Sequence, residues 1–317
     1  LQTHSRGKGI NLVFLGDGFN AENISNGDYL RVMNEQMERF FDIEPYRTYR
    51  DYFNVSTAIA VSQESGIGTV NTIRRTKFET TFAGGVGLRG DYSDYAMKVS
   101  SVDESNLNQS LIIVTPNTID YGGITEMWED GSAIAFCPLS EDTYPYDARG
   151  IIQHEAGGHG FGKLGDEYIY HNGFIEFCCP LDFATLNYGK SLGWYENLSL
   201  TGKMHEVPWS HLIFDDRYSD VVDIYEGGFK HARGVFRSEQ NSCMNNNISY
   251  FSAISREAIV KRIMEYAGES YSFEKFVEND KRDAVNSLSR SAERLGVTVR
   301  GNQYAPRIHK GKPDILK

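Results

Sequence analysis

The sequence predicts an α/β chain. Strand-sized apolar runs recur through its first half, and an amphipathic helical stretch separates the first two. The second half turns loop-rich and then helical. Asn11 to Leu15 reads as a buried strand, because Leu12-Val13-Phe14-Leu15 is a short apolar run that ends at Gly16. Asn26 to Phe41 reads as a helix, with Tyr29, Val32, Met33, Met37 and Phe40 at helical spacing. Phe53 to Val61, Leu111 to Val114 and Ala133 to Phe136 read as further strands, the last bounded by Asp130-Gly131 and Pro138. The glycine-rich Thr80 to Tyr92 reads as loop, and Ile151 to Phe161 as helix. Tyr168 to Val235 is irregular, and Ser252 to Tyr266 and Phe273 to Leu288 are helical. No repeat and no Pro/Gly/Ser linker interrupts the chain, so one domain over residues 1–317 is expected. Its sheet-bearing upper part covers about 8–165, its lower part 166–300 and its tail 301–317.

Composition narrows the function. Apolar residues make up 40% of the chain and charged residues 24%, which suits a packed core. Acidic residues number 43 against 32 basic ones, a net charge of -11, which argues against a nucleic-acid partner. No apolar run approaches the roughly 20 residues of a membrane span. The polar start, without an initiator Met, reads as that of a trimmed mature domain. Cys137, Cys178, Cys179 and Cys243 show no C-x-x-C spacing, which argues against a cysteine zinc site. One bridge to Cys178 or Cys179 and four free thiols both remain open.

Gln153-His154-Glu155-Ala156-Gly157-Gly158-His159 carries the most chemistry. Two histidines on one helix can share a zinc ion, and a Glu beside the first can take a proton from the metal's water. The usual spacing is four residues; here it is five. An α-helix turns about 100° per residue, so a gap of five leaves the side chains roughly 140° apart. A π-type bulge restores their alignment, and Gly157 and Gly158 supply the backbone freedom for one at Ala156 to Gly158. A catalytic zinc needs a third protein ligand, and Asp166, Glu167 and, more weakly, His171 are the candidates beyond the glycine turn.

His154-Glu155-Ala156-Gly157-Gly158-His159 followed by Leu164-Gly165-Asp166-Glu167-Tyr168 resembles the M64 metallopeptidases, the IgA-peptidase-like family of gut bacteria. Gly16-Asp17-Gly18-Phe19, Glu44-Pro45-Tyr46, Tyr52-Phe53-Asn54-Val55, Ser65-Gly66, Ser242-Cys243-Met244 and Ser255-Arg256-Glu257-Ala258 resemble the family's other segments in the same order. Relatives in that family often carry the four-residue spacing. The longer one is similar to His-Glu-x-x-Gly-His of the dipeptidyl peptidase III family, whose glycine Gly158 matches.

The resemblance implies a metzincin-like zincin fold: a twisted mixed sheet above, the zinc helix in the middle and a methionine turn beneath, with Met244 in that turn. It implies one catalytic Zn2+ held by His154, His159 and Asp166, with Glu155 as general base and then acid. It further implies a protein or peptide substrate and a bacterial enzyme that is secreted, periplasmic or at the cell surface. Tyr168 and Tyr250 are candidates to steady the oxyanion. Ala133-Ile134-Ala135-Phe136 stands where such folds place the sheet edge that pairs with substrate, and equally reads as a plain buried strand.

Two other readings compete. Gly16-Asp17-Gly18-Phe19-Asn20-Ala21 imitates a dinucleotide-binding turn, but Asp17 sets a negative charge where pyrophosphate must sit. A catalytically silent surface protein with a structural or vestigial zinc site is the other. Closed sites generally use four protein ligands, and the retained Glu155 argues for catalysis.

Overall fold

The computed structural model describes residues 1–82, 86–87, 92–281 and 305–313. Ten strands frame the site: β1 (Ile10–Asp17), β2 (Phe53–Ala58), β3 (Leu111–Pro116), β4 (Ile124–Trp128), β5 (Ala133–Phe136), β6 (Ile169–Phe174), β7 (Leu198–Ser199), β8 (Tyr225–Gly228), β9 (Lys230–Arg237) and β10 (Arg307–His309). Six of them make a mixed sheet in the order β10-β4-β5-β3-β1-β2. β5, β3, β1 and β2 run parallel to one another, and β4 is antiparallel to β5.

The central strands read as unbroken apolar runs because both faces are covered. Leu12 and Phe14, Leu111 and Ile113, and Ala133 and Ala135 enter one core with the helix Asp28–Phe41 and the histidine helix. Val13 and Leu15, Ile112 and Val114, and Ile134 and Phe136 enter a second core with Tyr92 and Ala96. The alternation is that of side chains along a strand. The first core continues through Leu198, Tyr218, Val235 and Met244, so it joins the upper and lower parts of the chain.

The structure departs from expectation in several places. The helix Tyr92–Val99 covers the second face, and the two-residue strands Thr81–Phe82 and Val86–Gly87 run through the expected loop. The rest of that loop, 83–85 and 88–91, lies outside the described residues. The last predicted helix is observed as Phe273–Asn279; residues 282–288 lie outside the description.

The clearest correction concerns Ala133–Phe136. This strand is not a sheet edge: β3 pairs with one side of it and β4 with the other. β10, from the tail, is the outermost strand and covers part of β4, which forms the rim only at Ile124 and Thr125. β10 pairs with Glu126, Met127 and Trp128, and with neither Ile124 nor Thr125. Glu126 is wholly buried and needs partners; the tail supplies Arg307 Nη1 at 3.2 Å and His309 Nε2 at 2.6 Å. Among the described residues, no helix is long and apolar enough to cross a membrane.

Candidate metal centre

The histidine helix starts conventionally and then changes its winding. Asp147 caps Ala148–Ile152 by accepting from Gly150 N, and the chain continues as a π-helix over Gln153–Phe161. The predicted distortion is present but longer than the expected three residues. Hydrogen bonds from i to i+5 return residues five apart to one face, which is what His154 and His159 require. All nine π-helical residues are buried, so the winding is fixed by what surrounds it. Gly157 gives its carbonyl to the Tyr46 hydroxyl at 2.6 Å. A Cβ on Gly158 would lie 2.2 Å from the Met244 sulfur. At the C-terminal end, buried Lys163 turns back and donates to the Gly160 carbonyl at 2.8 Å.

Three side chains converge above this helix. His154 Nε2 and His159 Nε2 are 3.1 Å apart, and Asp166 Oδ1 lies 3.2 Å from the first and 3.1 Å from the second. Each imidazole uses its other nitrogen on a backbone carbonyl: His154 Nδ1 on Cys243 at 3.0 Å and His159 Nδ1 on Leu164 at 2.7 Å. Carbonyls only accept, so both Nδ1 atoms carry the proton and both Nε2 atoms present lone pairs. Three lone-pair atoms then face one another in a buried space. A cation relieves their repulsion, and the residues present fit a zinc-type ion: two imidazoles and a carboxylate, each imidazole oriented by an outer partner. The second carboxylate oxygen of Asp166 is buried without a hydrogen bond.

The candidates for third ligand separate cleanly. Glu167 is turned away: Ser242 Oγ donates to it at 2.5 Å and Asn197 Nδ2 at 2.9 Å. Its backbone N–H reaches the Met244 carbonyl at 2.8 Å, so it ties the Asp166 loop to the Met244 loop. His171 lies on β6 with its ring 5.2 Å from His231, outside the trio. Met244, in the short helix Cys243–Asn246, is buried against Gly158.

Glu155 is buried beside the trio. Thr125 Oγ1 donates to its Oε2 at 2.8 Å and to its backbone carbonyl at 2.9 Å. A Cβ on Gly123 would meet the Glu155 Cγ at 2.6 Å, so glycine there leaves room for the carboxylate. Burial raises the Glu155 pKa to about 7, against the lowering influence of His154 and Thr125. Such a value suits a group that must take and return a proton near neutral pH.

The two tyrosines differ. The Tyr168 ring stacks on His154 at 6.5 Å and its hydroxyl is buried without a partner. Burial and the nearby Asp166 carboxylate hold that phenol well above its ordinary pKa. Tyr250 instead donates to Glu239 at 2.6 Å, which commits its hydroxyl elsewhere. Asp17, whose charge argued against a nucleotide, accepts from Phe78 N, Thr80 N, Ser62 Oγ and Thr76 Oγ1 and so organises a loop. Thr125, Gly123 and Asn197 belong to the site's surroundings, yet no local motif marks them; Ser242 does stand in a marked segment, Ser242-Cys243-Met244.

A model of the IgA Peptidase M64 family matches residues 1–181, more than half of the 317-residue chain. The chain belongs to the M64 peptidase family. It is thus a metallopeptidase, and its M64 match includes His154, Glu155, His159 and Asp166. No curated protein shows significant similarity to this M64 peptidase.

Proposed function

We propose that this M64 peptidase hydrolyses peptide bonds with one zinc ion held by His154, His159 and Asp166, and with Glu155 as general base. The convergence of two Nε2 atoms and Asp166 Oδ1 within 3.2 Å carries the reading. Bound there, zinc would supply Lewis-acid polarisation of the scissile carbonyl and lower the pKa of a water molecule. Glu155 takes that water's proton and delivers it to the leaving amine. Thr125 keeps the carboxylate aimed, and Tyr168, whose hydroxyl is buried without a partner, would donate to a developing oxyanion.

The substrate chain passes on the side of Glu155, near the part of β4 that β10 does not pair with. The arrangement is metzincin-like, with Met244 as its methionine turn, and the chain works as one catalytic unit. The family resemblance supports a site of action outside the cell, secreted, periplasmic or surface-bound in a bacterium.

A silent site is the second reading, and the buried Glu155 with its pKa near 7 favours the first. Zinc-restored cleavage of a peptide library by metal-stripped protein supports the proposal. Stoichiometric zinc binding with no cleavage supports the silent reading.

A further inference from the structure

A second group of metal-type side chains stands apart from the first. Cys178 ends the short helix Ile175–Cys178, and Cys179 precedes the helix Pro180–Ser191. Their sulfurs are 3.1 Å apart, and Cys178 Sγ is 3.5 Å from His231 Nδ1 on β9. The three ligand atoms all lie within 4.8 Å of one another. The sulfurs are too far apart for a disulfide bond of about 2.05 Å, and all four cysteines are free.

The surroundings prepare these atoms as ligands. His231 is fully buried, and its Nε2 meets Asp182 Oδ2 at 2.9 Å. A carboxylate accepts, so Nε2 carries the proton and Nδ1 turns its lone pair to the sulfurs. This is the carboxylate–imidazole arrangement that orients a metal-binding histidine. Lys230 Nζ holds the other Asp182 oxygen at 2.9 Å. A Cβ on Gly173 would meet both Cβ and Sγ of Cys178 at 2.9 Å, so glycine there keeps the thiol seated. His171, the register partner of His231, brings a second imidazole to the same face.

We propose that Cys178, Cys179 and His231 form a second metal site for a thiophilic d10 ion of the zinc type, with Asp182 orienting His231. Two thiolates and an imidazole select soft or borderline ions over calcium or magnesium. With three protein ligands and Cys178 exposed, the site is an anchor completed by solvent. It pins the helices of 175–191 to β9, and β9 begins beside the catalytic loop. Phe229 N donates to the Asp166 carbonyl at 2.8 Å and Lys230 N to the Tyr168 carbonyl at 2.9 Å. Both residues hold left-handed backbone, φ 46° and φ 70°, so the segment gains from an anchor one residue further on.

Cadmium titration of metal-stripped, reduced protein tests this, because thiolate–cadmium bonds give an ultraviolet charge-transfer band and imidazole–carboxylate sites do not. The H154A/H159A variant is expected to bind one equivalent with the band, and C178S/C179S one equivalent without it. Zinc is expected to slow thiol modification of the wild type at Cys178 and Cys179 and to leave peptide cleavage dependent on the other site. The two variants thus separate this proposal from the catalytic reading. The proposal is overturned if the wild type shows no charge-transfer band, or if zinc leaves thiol reactivity unchanged. It is also overturned if a Cys178–Cys179 disulfide forms in air equally fast with zinc present.

Discussion

The Met244 sulfur occupies the place where a side chain on residue 158 would begin: a Cβ on Gly158 would lie 2.2 Å from Sδ and 2.9 Å from Cε. The histidine helix and the Met244 loop are therefore fitted to each other. The backbone carbonyl beside Met244, that of Cys243, orients His154 from the same loop.

Gly158→Ala forces the methionine aside or the π-turn out of shape. The expected cost is about 1–3 kcal/mol of stability, the range for overpacking a tight core. Because the clashing atom ends a flexible side chain, G158A/M244A is expected to recover part of the loss. Denaturant midpoints of the four proteins of this cycle check the coupling; additive losses would contradict it.

Thr125→Val removes the hydroxyl that supports the Glu155 carboxylate. Turnover is expected to fall about tenfold or more, the value of a hydrogen bond to a charged group. The Thr125 bond favours the ionised form, so its loss raises the Glu155 pKa. A base of higher pKa is protonated at higher pH, and the acidic limb of the rate profile moves upward. A variant profile superimposable on the wild type would contradict this.

Asp166→Ala and Glu167→Ala are expected to fail differently although they are neighbours. Loss of Asp166 removes a ligand, and bound zinc falls with activity. Loss of Glu167 leaves Asn197 and Ser242 without their acceptor, costing about 1–3 kcal/mol for each buried donor, while zinc stays bound. Metal content beside thermal stability distinguishes them.

Much of this was legible in the sequence. Leu12 to Leu15 declared a strand because both faces of the sheet are buried, and the five-residue gap between His154 and His159 declared a distorted helix. The resemblance also pointed to Asp166, which stands beside both imidazoles. The rim of the sheet was not legible: Ile124–Trp128 carries buried Glu126, whose partners Arg307 and His309 lie far along the chain. Ala133–Phe136, more apolar, drew the edge assignment that belongs to its neighbour only at Ile124 and Thr125. The Cys178–Cys179–His231 group escaped for a similar reason. Its members are close only because β9 pairs with β6.

Glu239 sets a pH dependence apart from the metal centre. Burial raises its pKa from 4.5 to about 7, although Arg256, Tyr250 and Ala253 N pull it down. The folded state thus binds the proton more tightly than the unfolded chain. That contribution is complete below about pH 4.5 and is lost as pH rises through about 7. Glu239→Gln, neutral throughout, is expected to lack this fall, a difference on the order of 2–3 kcal/mol between pH 5 and 8. Parallel stability curves for variant and wild type would contradict it.

The most direct test is an anomalous difference map at the zinc edge from a crystal of Glu155→Gln soaked in zinc. The expected result is a peak bonded to both Nε2 atoms and to Asp166, in a protein whose turnover has dropped by about 10²–10⁴. Imidazoles that turn apart with no ion between them, or undiminished cleavage by this variant, would contradict the account.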